Sequence, residues 1–203
     1  MKKLTENRQS GFSLLELLVI VVIMVILGSV MIANFRQGER QKRVNLARDT
    51  VISAIRFAQN QTLAGKQIQR DTSVTVVRGT RCATDNSVKS YWAEFDNTNT
   101  ITIMAEDTCN AVMSTTSYTL PNRTKFAGSN PFQGQNTSGA FSSSTVATRF
   151  VAPFASITLS STASPLGSNF TKADWIRFSI QSDDLVVTKT VLFDAISGNI
   201  QIE

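Results

Sequence analysis

The amino-acid sequence predicts an α+β protein in which one long N-terminal α-helix precedes an antiparallel β-sheet or a two-sheet sandwich. An apolar run over residues 12–35 contains one charged residue, and the polar residues after it keep a helical period up to Gly65. The remainder consists of short segments rich in β-branched and aromatic residues. With 203 residues, 42% hydrophobic and 17% charged, the chain suits one globular domain with an appended segment, or at most two small domains.

The net charge of +5 is concentrated in the first third of the chain. Residues 1–11 carry a net charge of +2, and residues 36–70 carry eight basic and two acidic residues. Residues 71–203 carry nine basic and eleven acidic residues, a net charge of −2. A basic isoelectric point can indicate a nucleic-acid or membrane-surface partner, but here the charge belongs to the region next to the apolar run.

Several kinds of chemistry are excluded or disfavoured by composition. The chain has no histidine, which excludes Ser-His-Asp and Cys-His catalysis and histidine metal ligands, and its two cysteines cannot build a four-thiolate zinc site. Asp183, Asp184 and Asp194 lack the spacing of a calcium loop. We therefore predict no metal, no cofactor and no enzymatic activity.

The apolar run Phe12–Phe35 is predicted to be a transmembrane helix. Its 24 residues would span about 36 Å, against about 30 Å for a bilayer core. A buried core helix is one alternative, and a secretory signal, whose apolar region is usually shorter, is another. Its single charge, Glu16, lies near the start, and an acid in a membrane segment indicates a function and a cationic partner.

The junction Ser10-Gly11-Phe12-Ser13-Leu14-Leu15-Glu16 resembles the class III signal of type IV pilins and type II secretion pseudopilins. The resemblance implies cleavage between Gly11 and Phe12 by prepilin peptidase and methylation of the new N-terminal Phe12. It also implies that Glu16 sets the register between subunits by pairing with the amine of Phe12 on a subunit already in the filament.

The same resemblance implies an organisation and a location. A leader, residues 1–11, would be removed, and residues 12–35 would cross the inner membrane once with the head outside the cytoplasm, before assembly into a pilus or pseudopilus. An amphipathic stem, 36–65, and a β-rich head, 66–203, would complete a lollipop. The implied partners are other pilin subunits, prepilin peptidase and the inner-membrane assembly platform. Many pilins have a proline where this chain has Ala33, so a local opening near Gly28 stays open as a question.

The stem has one apolar stripe, stepping by three and four residues, and Gly65 suits a left-handed C-terminal cap. A basic group lies just beyond the membrane segment, where it could contact lipid phosphates, acidic neighbours or only solvent. The stripe contains Val44, Ala47, Val51, Ile55, Ala58 and Thr62, and the basic group contains Arg36, Arg40, Lys42 and Arg43.

The head is predicted to contain short strands joined by turns and two long loops. The loops are the Ser/Thr/Gly/Asn-rich residues 128–149 and 160–171, and hairpins are expected with turns at 96–100 and 197–199. The predicted strands are 73–78, 91–96, 101–105, 117–120, 157–159, 175–180, 185–188 and 190–193.

Cys82 and Cys109 enclose 26 residues. In an extracytoplasmic head they are expected to form a disulfide, with two unpaired thiols as the alternative. Residues 51–82 resemble the GspH/FimT group of minor pilins and pseudopilins, with a major pilin or another minor class as alternatives.

The function implied is that of a structural subunit, a minor pilin or pseudopilin of a type IV pilus or type II secretion system. The alternative is a minor pilin that binds DNA for natural transformation. DNA binding would require an exposed basic patch, whereas the head is net acidic, so nucleic acid is not the expected partner. The isolated bases that would have to cluster are Arg123, Lys125, Arg149 and Lys172.

Overall fold

A computed structural model describes residues 13–65, 75–82, 87–136, 139–152, 156–160, 172–195 and 198–202 of the chain. One helix, α1, spans Leu14–Leu63, within two residues of the predicted bounds. It continues through Gly28 without interruption. At its end Gly65 has φ of 58°, which is the left-handed cap that the sequence predicts, and its N–H donates to the carbonyl of Thr62 at 3.1 Å.

The strands of the described residues form one antiparallel, continuously hydrogen-bonded sheet, which confirms the predicted fold class. The main order is β1-β4-β3-β2-β8-β9-β10-β11-β12; β5 and β6 also pair with β10, and β7 pairs with β6. The strands are β1 Thr75–Arg78, β2 Val88–Phe95, β3 Thr100–Asp107, β4 Val112–Thr119, β5 Thr124–Phe126, β6 Phe132–Asn136, β7 Gly139–Ser143, β8 Val146–Val151, β9 Ser156–Ser160, β10 Lys172–Ser182, β11 Thr188–Asp194 and β12 Ile200–Ile202.

The chain separates into two compact units, Met1–Glu39 and Arg40–Glu203. In the second unit the predicted apolar stripe of α1 is the face that packs into the core, and every member from Val44 to Thr62 is at most 2% exposed. The sheet contributes a cluster of phenylalanine rings, whose nearest centroids, those of Phe95 and Phe178, are 4.6 Å apart. The stem is therefore stabilised by burial of its apolar stripe more than by helix propensity.

The prediction of a long loop over residues 128–149 is wrong. This stretch contains β6, β7 and most of β8. The many Ser, Thr and Gln residues of this stretch hide the alternation of apolar and polar residues that is typical of a strand. β7 has one sheet partner, β6, among the described residues, and its residues are exposed or half-buried. Gly134 is required in β6, since a Cβ there would lie 2.5 Å from the ring of Phe141 and from the carbonyl oxygen of Trp175.

The predicted strand 185–188 is also wrong, because only Thr188 belongs to a strand. Leu185 has φ of 59°, a left-handed conformation that ends β-structure, and Val187 N–H donates to Ser182 Oγ at 3.2 Å. The β-branched residues therefore form a turn between β10 and β11. The hairpin between β2 and β3 and the terminal hairpin of β11 and β12 are confirmed. Of the second predicted loop, residues 161–171 lie outside the described residues.

The disulfide expected between Cys82 and Cys109 is present, with 5.5 Å between the Cα atoms. The carboxylate of Asp107 organises the chain around it, since it accepts hydrogen bonds from the backbone N–H groups of Cys82 at 3.1 Å, Cys109 at 3.0 Å and Ala111 at 2.7 Å. The sequence contained a partial signal for this role, because an Asp two residues before a turn residue commonly accepts its N–H.

Replacing both cysteines with serine is expected to lower the free energy of unfolding by about 3–4 kcal/mol, because the cross-link constrains the unfolded chain. Urea titration of the full chain in detergent measures the loss. Wild type unfolded with a reductant present is the control and should match the variant. Equal urea midpoints for the variant and the oxidised wild type would show that the disulfide does not stabilise the head.

Candidate functional site

The N-terminus of α1 is capped by Ser13. The N–H of Glu16 donates to Ser13 Oγ at 3.2 Å and to the Ser13 carbonyl at 3.1 Å. This Ser-x-x-Glu spacing is that of a capping box, and an acid in the first turn suits the helix dipole. The capping role of Ser13 was not among the sequence predictions, although the spacing signals it.

Glu16 has no ionic partner in the part of the chain that the structure describes. Its side chain is exposed, and no basic side chain of the described residues pairs with it. Gly11 and Phe12, the predicted cleavage and methylation site, lie outside the described residues. The described residues therefore present a carboxylate at the start of an apolar helix and supply no cation to neutralise it.

The apolar half of α1 is left uncovered by the part of the chain that the structure describes. Its most hydrophobic 18-residue window has a mean hydropathy of 3.0 and is 0% buried. The exposed fraction of its large apolar side chains runs from 41% at Ile20 to 85% at Leu14. The hydroxyl of Ser29 donates to the Ile26 carbonyl at 2.7 Å, so this polar group is satisfied within the helix. This surface is not buried as that of a core helix would be, and the length and composition of the segment are consistent with membrane anchoring.

The members of the basic group after the apolar run differ in their contacts. Arg40 Nε lies 2.6 Å from Asp184 Oδ2, so this arginine has an acidic partner within the chain. The hydrogen bond from Ser182 and then the charge of Arg40 hold the pKa of Asp184 below its usual range. Arg36 and Lys42 are exposed. Asp194, considered with Asp184 as a metal ligand, lies at the opposite end of β11.

A buried polar network lies on the sheet. Glu106 is 2% exposed and accepts hydrogen bonds from Arg149 and, at 2.9 Å, from Ser90 Oγ. Lys89 Nζ is 3.6 Å from the other carboxylate oxygen. Arg149 is thus paired within the sheet, which removes it from the set of bases that a DNA-binding patch would need. The partners are 43 residues apart in the chain, a separation that a single sequence cannot connect.

Glu94 on β2 is the carboxyl group most strongly shifted among the described residues whose shift is resolved. Burial, followed by the charge of Asp96, raises the pKa of Glu94 from 4.5 to about 7. Between these values the folded chain holds a proton that the unfolded chain has released. The contribution of Glu94 to stability is therefore largest below about pH 4.5 and falls as the pH rises towards 7.

Glu94→Gln is expected to flatten the fall in unfolding free energy across that pH window, because the neutral amide has no proton to lose. Urea midpoints measured from acid to neutral pH test this expectation. Asp183→Asn, the same kind of change in an exposed turn, is the matched control and should keep the wild-type slope. An unchanged slope in Glu94→Gln would show that another group causes the pH dependence.

Residues 7–32 match the family described as the prokaryotic N-terminal methylation motif, which covers the predicted cleavage site, Glu16 and most of the apolar run. No curated protein and no solved structure matches the chain significantly. The match, together with the long helix and the antiparallel sheet that follow it, supports the assignment of this chain to the type IV pilin and pseudopilin family.

Proposed function

We propose that the protein is a minor pilin or pseudopilin, cleaved by prepilin peptidase and assembled through its N-terminal helix into a type IV pilus or a type II secretion pseudopilus. One observation carries the proposal: Glu16, which has no ionic partner among the described residues, lies inside a methylation motif, in the first turn of an apolar helix that those residues leave uncovered. In a helical filament of like subunits, the carboxylate would gain a cationic partner and neighbouring helices would cover the apolar side chains.

Cleavage after Gly11 creates a cationic amine on Phe12. In the assembly step, Glu16 of an incoming subunit pairs with the Phe12 amine of a subunit already in the filament. The pair neutralises two charges that would otherwise be costly in an apolar surrounding, and its short range fixes the axial position of one helix against the next. The apolar side chains then exchange lipid for neighbouring helices.

The proposed organisation keeps residues 1–11 as a cytoplasmic leader, 12–35 as the membrane and assembly segment, 36–65 as the stem and 66–203 as the head. The head lies outside the cytoplasm, on the far side of the inner membrane. The disulfide supports this location, since disulfides persist in oxidising compartments. The GspH/FimT group is the proposed subclass, on the resemblance of residues 51–82.

Processing at Gly11 is the experimental test. Gly11→Leu is expected to abolish cleavage by prepilin peptidase and leave the leader on the chain, because a site shaped for glycine has no room for a branched side chain, and Gly11→Ala is expected to slow it. Co-expression with a prepilin peptidase and intact-mass analysis measure the cleaved fraction. Gly28→Ala is the matched control, since an added Cβ there meets nothing within 4 Å. Complete processing of Gly11→Leu would contradict the assigned cleavage point.

A further inference from the structure

Residues 75–82 are attached to the sheet by a short edge strand and by the disulfide. The strand β1 pairs with β4 alone among the described strands, and its register is interrupted between Val76 and Arg78. Its two valines bury little surface, since Val76 is 42% exposed and Val77 is 55% exposed. A four-residue strand with a partner on one side and exposed apolar side chains gains little from packing. The hydrogen-bond ladder alone is therefore a weak attachment for this segment.

A covalent attachment lies at the end of the segment. A Cβ on Gly79 would lie 3.1 Å from the Cα of Ala111, so the chain passes close to the turn between β3 and β4. Cys82 then joins that turn through the disulfide with Cys109. The N–H of Cys82 donates to a carboxylate oxygen of Asp107 at 3.1 Å. The disulfide and this hydrogen bond therefore anchor the segment at Cys82.

The strand β4 is held in the sheet independently of β1. It pairs with β3 from one end to the other. Met113 of β4 is fully buried in the main core, and Val112 packs with Trp92 in a second, smaller cluster. Among the residues whose burial is described, neither cluster contains a member of β1. Release of β1 should therefore leave the rest of the sheet and its core in place.

We propose that the disulfide is a redox-sensitive clamp on residues 75–82. When the disulfide is formed, the segment covers the edge of β4. When it is reduced, residues 75–82 leave the sheet, and the backbone N–H and C=O groups that β4 shared with β1 become accessible to solvent. The rest of the head stays folded. The clamp acts within the head and does not depend on filament assembly.

The switch is a thiol–disulfide exchange with an external dithiol. Cys109 belongs to an exposed turn, whereas Cys82 is 8% exposed, so a thiolate of the dithiol attacks the Sγ of Cys109 and Cys82 leaves as a thiolate. The hydroxyl of Thr108 lies 3.2 Å from Cys82 Sγ and can donate to the leaving thiolate. The second thiol of the reagent then displaces Cys109 from the mixed disulfide. Two electrons and two protons pass to the protein thiols, and the dithiol becomes a disulfide.

Hydrogen–deuterium exchange of the full chain in detergent, without denaturant, tests the clamp. Oxidised wild type is compared with wild type reduced by dithiothreitol and with the double variant Cys82→Ser, Cys109→Ser. We expect the amides of residues 75–82 to exchange about tenfold faster in both of the latter samples, because the open segment is then populated. The internal control is β12, an edge strand of three residues without a cross-link, which should exchange equally in all three samples.

Two results would overturn the proposal. Unchanged exchange of residues 75–82 after reduction would show that the ladder holds β1 without the clamp. Faster exchange throughout β2, β8 and β10 as well would show that the disulfide supports the whole head and that no local release occurs. Faster exchange confined to residues 75–82 and to the β4 amides that face them supports the clamp.

Trypsin gives a second measurement, which needs no reductant. In the double variant we expect cleavage after Arg78 and Arg81 to be about tenfold faster than in oxidised wild type, because proteolysis follows the population of the open segment. Arg123, an exposed arginine in the turn between β4 and β5, is the matched site and should be cleaved at the same rate in both chains. Equal cleavage after Arg78 and Arg81 in the two chains, or an equal rise at Arg123, would contradict local release.

Discussion

Replacing Glu16 with alanine is expected to leave the subunit in the membrane and to reduce its incorporation into filaments by a factor of about a hundred or more. Removing one partner of a buried ion pair costs about 3–5 kcal/mol, because the remaining charge stays buried and unpaired. In the proposed assembly step the remaining charge is the Phe12 amine of the neighbouring subunit. Insertion itself should become easier, since the apolar run then carries no charge.

The measurement compares membrane-bound and filament-bound subunit by immunoblot in cells that assemble the filament. Asp49→Ala is the matched control, because it removes a carboxylate from the same helix whose partner, Arg48, is an adjacent surface residue. Ser13→Ala tests the cap separately and should cost about 1 kcal/mol of helix stability. Wild-type incorporation of Glu16→Ala would refute the pairing mechanism.

The second large effect is expected in the core of the head. Phe178→Ala should lower the free energy of unfolding by about 3–5 kcal/mol, because the ring is fully buried and its loss leaves a cavity. Its neighbours Phe95 and Phe132 have ring centroids at 4.6 and 5.7 Å, and both are held by strands that cannot close the gap easily. Such a loss is a large share of the stability of a typical domain.

Urea unfolding of the full chain in detergent, followed by tryptophan fluorescence, measures this loss. Phe35→Ala is the matched control: the same side chain is removed from a site that is 73% exposed, so the urea midpoint should hardly move. A midpoint for Phe178→Ala as close to wild type as that of the control would show that the phenylalanine cluster does not carry the stability of the head.

The stem was the most predictable part of the fold. The three-and-four spacing from Val44 to Thr62 has one physical solution, a helix with a buried stripe, and Gly65 ends it. The head was harder to predict where local composition and long-range pairing disagree. Residues 139–143 look like a loop, yet their backbone pairs with β6, whereas Leu185 and Val186 look like a strand and form a turn.

The residues of the candidate site also differ in how far the sequence predicts them. Glu16 stood out because a single acid in an apolar run is expensive, and Ser13 could have been predicted as a cap from its spacing. The pair of Arg40 with Asp184 joins residues 144 positions apart, and only the folded chain brings them together. Long-range ion pairs leave no periodic signal in one sequence.

Mass spectrometry of the mature N-terminus tests the central claim most directly. In membranes of cells that contain a prepilin peptidase, we expect an N-terminal peptide that begins at Phe12, with a mass raised by one methylation on its α-amine and with no leader residues attached. A mature chain that begins at Met1, or at a residue well beyond the apolar run as after secretory cleavage, would contradict the claim that this helix is a processed assembly segment.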